Sequence, residues 1–155
     1  MAGKVEGRLS ELGITVPQAA APVANYVGFV KTGKLVFVSG QVTLKDGKPE
    51  YVGKLGAEIS LEDGQKAARL CATNIIAQLK VACDGDLDRV KRIVRLGGFV
   101  NSTPDFTDQP KVINGASDLM VEAFGDRGKH ARAAVSAASL PLGVAVEIDA
   151  IAEID

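Results

Sequence analysis

A single histidine, His130, stands in this chain of 155 residues. One imidazole cannot build a histidine-rich metal site. The two cysteines, Cys71 and Cys83, lack metal-ligand spacing. Both fall in a segment read as one helix, where such a separation is roughly 18 Å, beyond disulfide reach. Free thiols suit a reducing compartment. G-x-S-x-G, Walker A and G-x-G-x-x-G runs are all missing. Charge of one sign is also missing: 18 Lys and Arg face 19 Asp and Glu, and basic positions alternate with acidic ones. A nucleic-acid-binding domain normally shows a basic stripe, so the pattern argues against a nucleic-acid partner. Residues 1–9 carry charges and no apolar stretch, unlike a secretory signal. No apolar run is long enough to span a bilayer. These features together predict a soluble, cytoplasmic protein.

What remains has the composition of one globular domain over residues 1–155, with residues 1–22 as an N-terminal extension. A short helical turn is expected at residues 9–12, then an extended lead-in rich in Ala and Pro. Residues 26–30 and 35–39 are β-rich and flank Lys31-Thr32-Gly33-Lys34, a hairpin signal. Asp46-Gly47 supplies another turn. Ser60 with Asp63 resembles a capping box. Beyond it, Ala68, Cys71, Ala72, Ile75, Leu79 and Ala82 recur at helical spacing. Residues 90–101 read as a strand in which Gly97-Gly98 marks a bulge or a close approach. Pro110 opens a second helix and Gly125 ends it. Residues 131–138 form a short strand, and residues 144–154 alternate as a longer one. The order predicts an α+β domain with one sheet and two helices on one face.

Candidate chemistry concentrates in the last two strands. Arg132 lies in the apolar run Ala131-Arg132-Ala133-Ala134-Val135, and a guanidinium there needs an anionic partner. Glu147 or Asp149 would make a structural ion pair, the simpler account from composition. A ligand carboxylate gripped by the two-pronged fork is the other account. Glu147 is either an ordinary outward residue of a sheet face or a carboxylate turned into a cleft, able to activate a water. His130 reads most simply as an exposed, solvated side chain. Its spacing to Arg132 would put both on one face.

The segments Ala131-Arg132-Ala133-Ala134-Val135, Leu140-Pro141 and Val146-Glu147-Ile148-Asp149-Ala150-Ile151-Ala152 resemble the signature of the Rid (reactive intermediate deaminase) family, also called YjgF or L-PSP. Val38-Ser39-Gly40-Gln41 is similar to the family's S-G-Q stretch, and Phe99-Val100-Asn101 to a family strand. The likeness runs from about Tyr26 to Ile154. The longer N-terminus and Phe106-Thr107-Asp108-Gln109-Pro110 resemble a less studied, YjgF/chorismate-mutase-like endoribonuclease branch. The resemblance implies a chorismate-mutase-like α+β fold and a homotrimer with clefts between subunits. It implies hydrolytic deamination of imines or enamines, of the 2-aminoacrylate and 2-iminopropanoate type, to 2-keto acids and ammonia, with no metal or organic cofactor. Arg132 matches the arginine that binds the substrate carboxylate, and Glu147 the glutamate that positions water. Tyr26, Ser39 and Gly40 match cleft-lining residues. Asn114 matches a cleft asparagine whose spacing to Arg132 differs by one. Ala134 stands where better-known members carry cysteine, and His130 where they carry proline. Two further functions fit the same resemblance. One is a non-catalytic metabolite-binding regulatory trimer, which needs Arg132 but not Glu147. The other is an endoribonuclease or translation inhibitor, disfavoured by the near-neutral charge and lone histidine.

Overall fold

The structure, a computed structural model, describes residues 3–22 and 24–155. It opens with helix α1, Lys4–Glu11, longer and earlier than the turn expected from sequence. Val5 and Leu9, one turn apart, bury against the core. The Asp88 carboxylate accepts hydrogen bonds from the backbone N–H groups of Lys4 and Val5, each 2.9 Å. That cap comes from far along the chain, so no local rule reveals it.

Strands β1, Phe29–Thr32, and β2, Leu35–Val42, form the expected hairpin, tightened to a two-residue turn at Gly33-Lys34. The run at residues 26–30 thus yields a strand only from Phe29. Strands β3, Leu44–Lys45, and β4, Lys48–Pro49, flank Asp46-Gly47, both at positive φ. Helix α2 is Leu61–Ala82, and its cap Ser60 accepts from the Asp63 N–H at 3.1 Å. Strand β5 is Val90–Asn101, helix α3 Gln109–Phe124, strand β6 Ala131–Ala137 and strand β7 Val146–Ile154.

The main sheet runs β1-β2-β7-β5-β6. Only β5 and β6 pair in parallel, because α3 crosses over between them. The fold is therefore α+β with a mixed sheet, as the sequence predicts, though with three helices rather than two. Helices α2 and α3 cover one face. Ile75, Ile76 and Leu79 from α2 and Ile113, Leu119 and Met120 from α3 pack on Ile93, Leu96 and Ile148, all fully buried. Each such side chain contributes about 1.5–3 kcal/mol. The fit depends on backbone contact. A Cβ on Gly98 would lie 2.7 Å from Ile113, and one on Gly115 would lie 2.1 Å from the Gln65 carbonyl oxygen. The Gly97-Gly98 signal is thus a close approach. The irregularities of β5 lie elsewhere, between Val90 and Arg92 and between Ile93 and Arg95.

Among the described residues no helix covers the opposite face of the sheet. Leu35, Phe37, Phe99 and Val135 are exposed there. They alternate with buried neighbours such as Val36, Val38 and Val100 on the helix side.

Candidate active site

Strand β7 sets the first half of the site. Val146 and Ile148 are buried under the helices, so Glu147 between them projects to the open face. Its cross-strand partners are Val42 and Phe99. Burial, and secondarily the negative charge of Asp149, raise the Glu147 carboxyl above its ordinary range.

The β2 ladder breaks between Val38 and Gln41, which lifts Ser39 and Gly40 out of register. A Cβ on Gly40 would sit 2.3 Å from Glu147 Oε2. The missing side chain is what lets the carboxylate lie against β2. Ser39 is held rather than free: its hydroxyl donates to the Val27 carbonyl at 2.6 Å.

A large open cleft of about 1210 Å³ gathers Tyr26, Ser39, Gly40 and Glu147. Four of the expected site residues therefore share one cavity. Tyr51, Asn74, Gln78 and Leu142 line it as well, along with much of residues 13–22. Sequence reading passed over these. Tyr51 and Leu142 adopt left-handed backbone (φ 51° and 61°), a conformation that side chains of this size seldom take and that nothing in their composition signals.

Cys71 lies beneath the same strand, where its thiol donates to the Val146 carbonyl at 3.4 Å. Burial first, and the Glu147 charge second, push that thiol far up, so it is no nucleophile.

Strand β6 carries the second half. Arg132 pairs with Leu96, a helix-face residue, so its side chain starts on the helix side at the edge of the sheet. There it turns onto α3. Nη1 donates to Ser117 Oγ at 3.0 Å and Nη2 to the Pro110 carbonyl at 3.1 Å. Among the described residues no carboxylate pairs with it. The internal ion pair with Glu147 or Asp149 is not formed; Asp149 instead faces Arg95 at 3.7 Å. Arg132 is half-buried, so backbone and hydroxyl acceptors with water suffice to solvate it.

His130 is not the free, exposed side chain expected. It is partly buried, with Nδ1 2.6 Å from the Gly128 carbonyl and Nε2 2.8 Å from Ser117 Oγ. It does share a face with Arg132, as the spacing requires. Asn114 is exposed on α3, three residues before Ser117, and so on the Arg132 side rather than in the Glu147 cleft. Ala134 is partly buried opposite Gly98 and packs on the core.

The two halves are not neighbours within one chain. Arg132 and Glu147 lie on opposite faces of the sheet, with β5 between their strands. Two strand spacings alone amount to about 10 Å.

Residues 6–154 match the family described as "YjgF/chorismate_mutase-like, putative endoribonuclease". The chain belongs to this family. A Trypanosoma cruzi relative, Protein TCP17, is 50% identical over 154 residues, covering 99% of this chain and 96% of its own. Among solved structures, the Agrobacterium tumefaciens protein Atu1372 superposes with a TM-score of 0.93 at 51% identity, covering 97% of this chain and 92% of that one. More distant is E. coli TdcF, solved with bound serine: TM-score 0.66, 26% identity, 89% of this chain and 94% of that one. RidA from a Psychrobacter species stands equally far: TM-score 0.62, 27% identity, 88% and 94%. The fold is thus shared with chains that differ from this one in about three residues of every four. Among the described residues no helix is long and apolar enough to cross a membrane.

Proposed function

We propose that this YjgF-family protein hydrolyses small carboxylate-bearing imines, with their enamine tautomers, to 2-keto acids and ammonia, in clefts formed where two copies meet. The observation that carries the reading is the half-buried Glu147, its carboxyl raised, in the same cleft as Tyr26, Ser39 and Gly40. Arg132, which pairs with no carboxylate among the described residues, is the matching cation. Since one chain holds the two on opposite sheet faces, a substrate touching both must lie between protomers. The bare apolar face with Phe37 and Phe99 supports self-association, as a homotrimer. The serine bound to TdcF favours an amino-acid-like ligand with a carboxylate.

The chemistry asked of the site is modest. The Arg132 fork holds the substrate carboxylate and fixes the imine carbon. Glu147 takes a proton from a water as that water attacks the carbon. That proton passes to the nitrogen and gives a carbinolamine. Glu147 then takes the proton of the adduct's hydroxyl and hands it to the amino group, so that the C–N bond breaks, the C=O bond forms and ammonia leaves the keto acid behind. A base must be ionised to act, so the rate should climb with pH through a value above the ordinary glutamate range.

The test is release of ammonia and pyruvate from enzymatically generated 2-iminopropanoate. The wild-type protein should accelerate it and Arg132→Ala should abolish the acceleration. Full activity in Arg132→Ala defeats the reading. Glu147→Gln should keep pyruvate binding and lose turnover. Normal turnover in that variant would take the base role from Glu147, whereas a wild type that binds pyruvate through Arg132 without turning over 2-iminopropanoate would make the protein a binding trimer rather than an enzyme.

A further inference from the structure

We infer that Ser117 and His130 are positioning residues that aim the Arg132 guanidinium, an inference resting on the reading of Arg132 as a carboxylate anchor. With a neutral imidazole, the partners fix the direction of each hydrogen bond. The Gly128 carbonyl can only accept, so His130 Nδ1, 2.6 Å away, carries the proton. In the neutral ring Nε2 is then the acceptor, and it takes the Ser117 hydroxyl proton across 2.8 Å. With that proton committed, Ser117 Oγ offers only lone pairs to its remaining neighbour. That neighbour is Arg132 Nη1 at 3.0 Å, a group that can only donate. Three bonds therefore run one way: guanidinium to hydroxyl, hydroxyl to imidazole, imidazole to backbone. The Pro110 carbonyl holds Nη2 at 3.1 Å on the other side.

The relay ends on rigid material. A Cβ on Gly128 would lie 2.0 Å from the Met120 carbonyl oxygen, so this backbone is seated directly on the end of α3. Ser117 stands in the middle of α3, flanked by the buried Ala116 and Met120. A flexible arginine loses rotamer freedom when it grips a ligand. One already held at Nη1 and Nη2 has lost that freedom beforehand. The Nε–H and one N–H on each terminal nitrogen stay available, enough for a two-pronged grip on a carboxylate. Ser117 and His130 need not touch the substrate; they act through Arg132.

The experiment compares the wild type with Arg132→Ala, Ser117→Ala, Ser117→Thr, His130→Ala and the Ser117→Ala/His130→Ala double variant. Readouts are KM and kcat with 2-iminopropanoate, calorimetric Kd for pyruvate, and melting temperature. Removing one such bond is worth about tenfold in affinity. Ser117→Ala should therefore raise KM and the pyruvate Kd about tenfold and leave kcat within about twofold. Ser117→Thr, which keeps the hydroxyl, should restore both. The double variant should be no worse than Ser117→Ala, because His130 acts only through Ser117. Since His130 is the chain's one histidine, its imidazole ¹⁵N resonances are unambiguous. They should report the Nδ1–H tautomer in the wild type. An Nε2–H tautomer overturns the relay. So does a KM unchanged in Ser117→Ala while Arg132→Ala is dead, which leaves the Arg132 reading standing. A fully active Arg132→Ala removes both. A loss in Ser117→Ala that tracks melting temperature and is not rescued by threonine makes the role structural and also overturns the relay.

Discussion

Gly40 has no room for a side chain while Glu147 keeps its place. Gly40→Ala should push the carboxylate aside, and turnover of 2-iminopropanoate should fall by one to two orders of magnitude, roughly what a misplaced base costs. Its melting temperature should change little, because the clash is with a movable side chain and the site is exposed. Glu147 itself carries a stability signature. Its folded carboxyl titrates above the unfolded one, so its favourable contribution is complete below the ordinary glutamate range and is lost as pH rises through the raised value. Glu147→Gln should therefore melt higher than the wild type near neutral pH, with the gap closing on acidification below the ordinary range; a gap that widens on acidification would contradict the assigned cause. At this scale the sequence was informative where a residue's type is unusual for its setting. Arg132 among alanines is such a case. The sequence could not say which way that arginine turned, because Ser117 and Pro110 reach it only through the packing of α3 on β6. The same holds for His130, which looked solvent-facing until α3 supplied Ser117.

Elements with their own periodicity were readable, and elements stabilised from a distance were not. Helices α2 and α3 and strands β5 and β7 follow their apolar spacing almost to the residue. Where helix α1 forms, the sequence predicts only a turn, because two of the helix's first N–H groups are satisfied by Asp88, more than eighty residues on. Those two bonds hold the Asp88 carboxyl below its ordinary range. Asp88→Ala should cost about 1–2 kcal/mol in chemical denaturation, as for other lost helix caps. Hydrogen exchange should then show α1 opening ahead of the rest. Because the Asp88 carboxyl is lowered, the wild type's advantage should shrink as pH falls through its depressed value. The bulge at Ser39-Gly40 was likewise hidden. Its sequence reads as a strand continuing into a turn, and only the β7 register reveals the displaced pair.

For the molecule as a whole, the α+β plan with helices on one face was legible from element order. The consequence for the site was not. Sequence places Arg132 and Glu147 in adjacent elements, yet β6 and β7 are separated by β5, and the two side chains leave the sheet in opposite directions. Under the proposed function, assembly becomes part of the chemistry. Phe37→Asp, a charge on the bare face far from both groups in sequence, should shift the protein to monomer in sedimentation velocity. Activity should fall with it, although every proposed catalytic side chain stays intact. A monomeric Phe37→Asp variant with full turnover would refute the shared-cleft account.

A mirror-image division of labour has a genetic counterpart. If each cleft draws its cation from one protomer and its base from the next, a cell carrying one Arg132→Ala copy and one Glu147→Gln copy is not null. Random co-assembly leaves about a quarter of the clefts with both groups intact. Two dead alleles would rescue each other, whereas either allele alone would not.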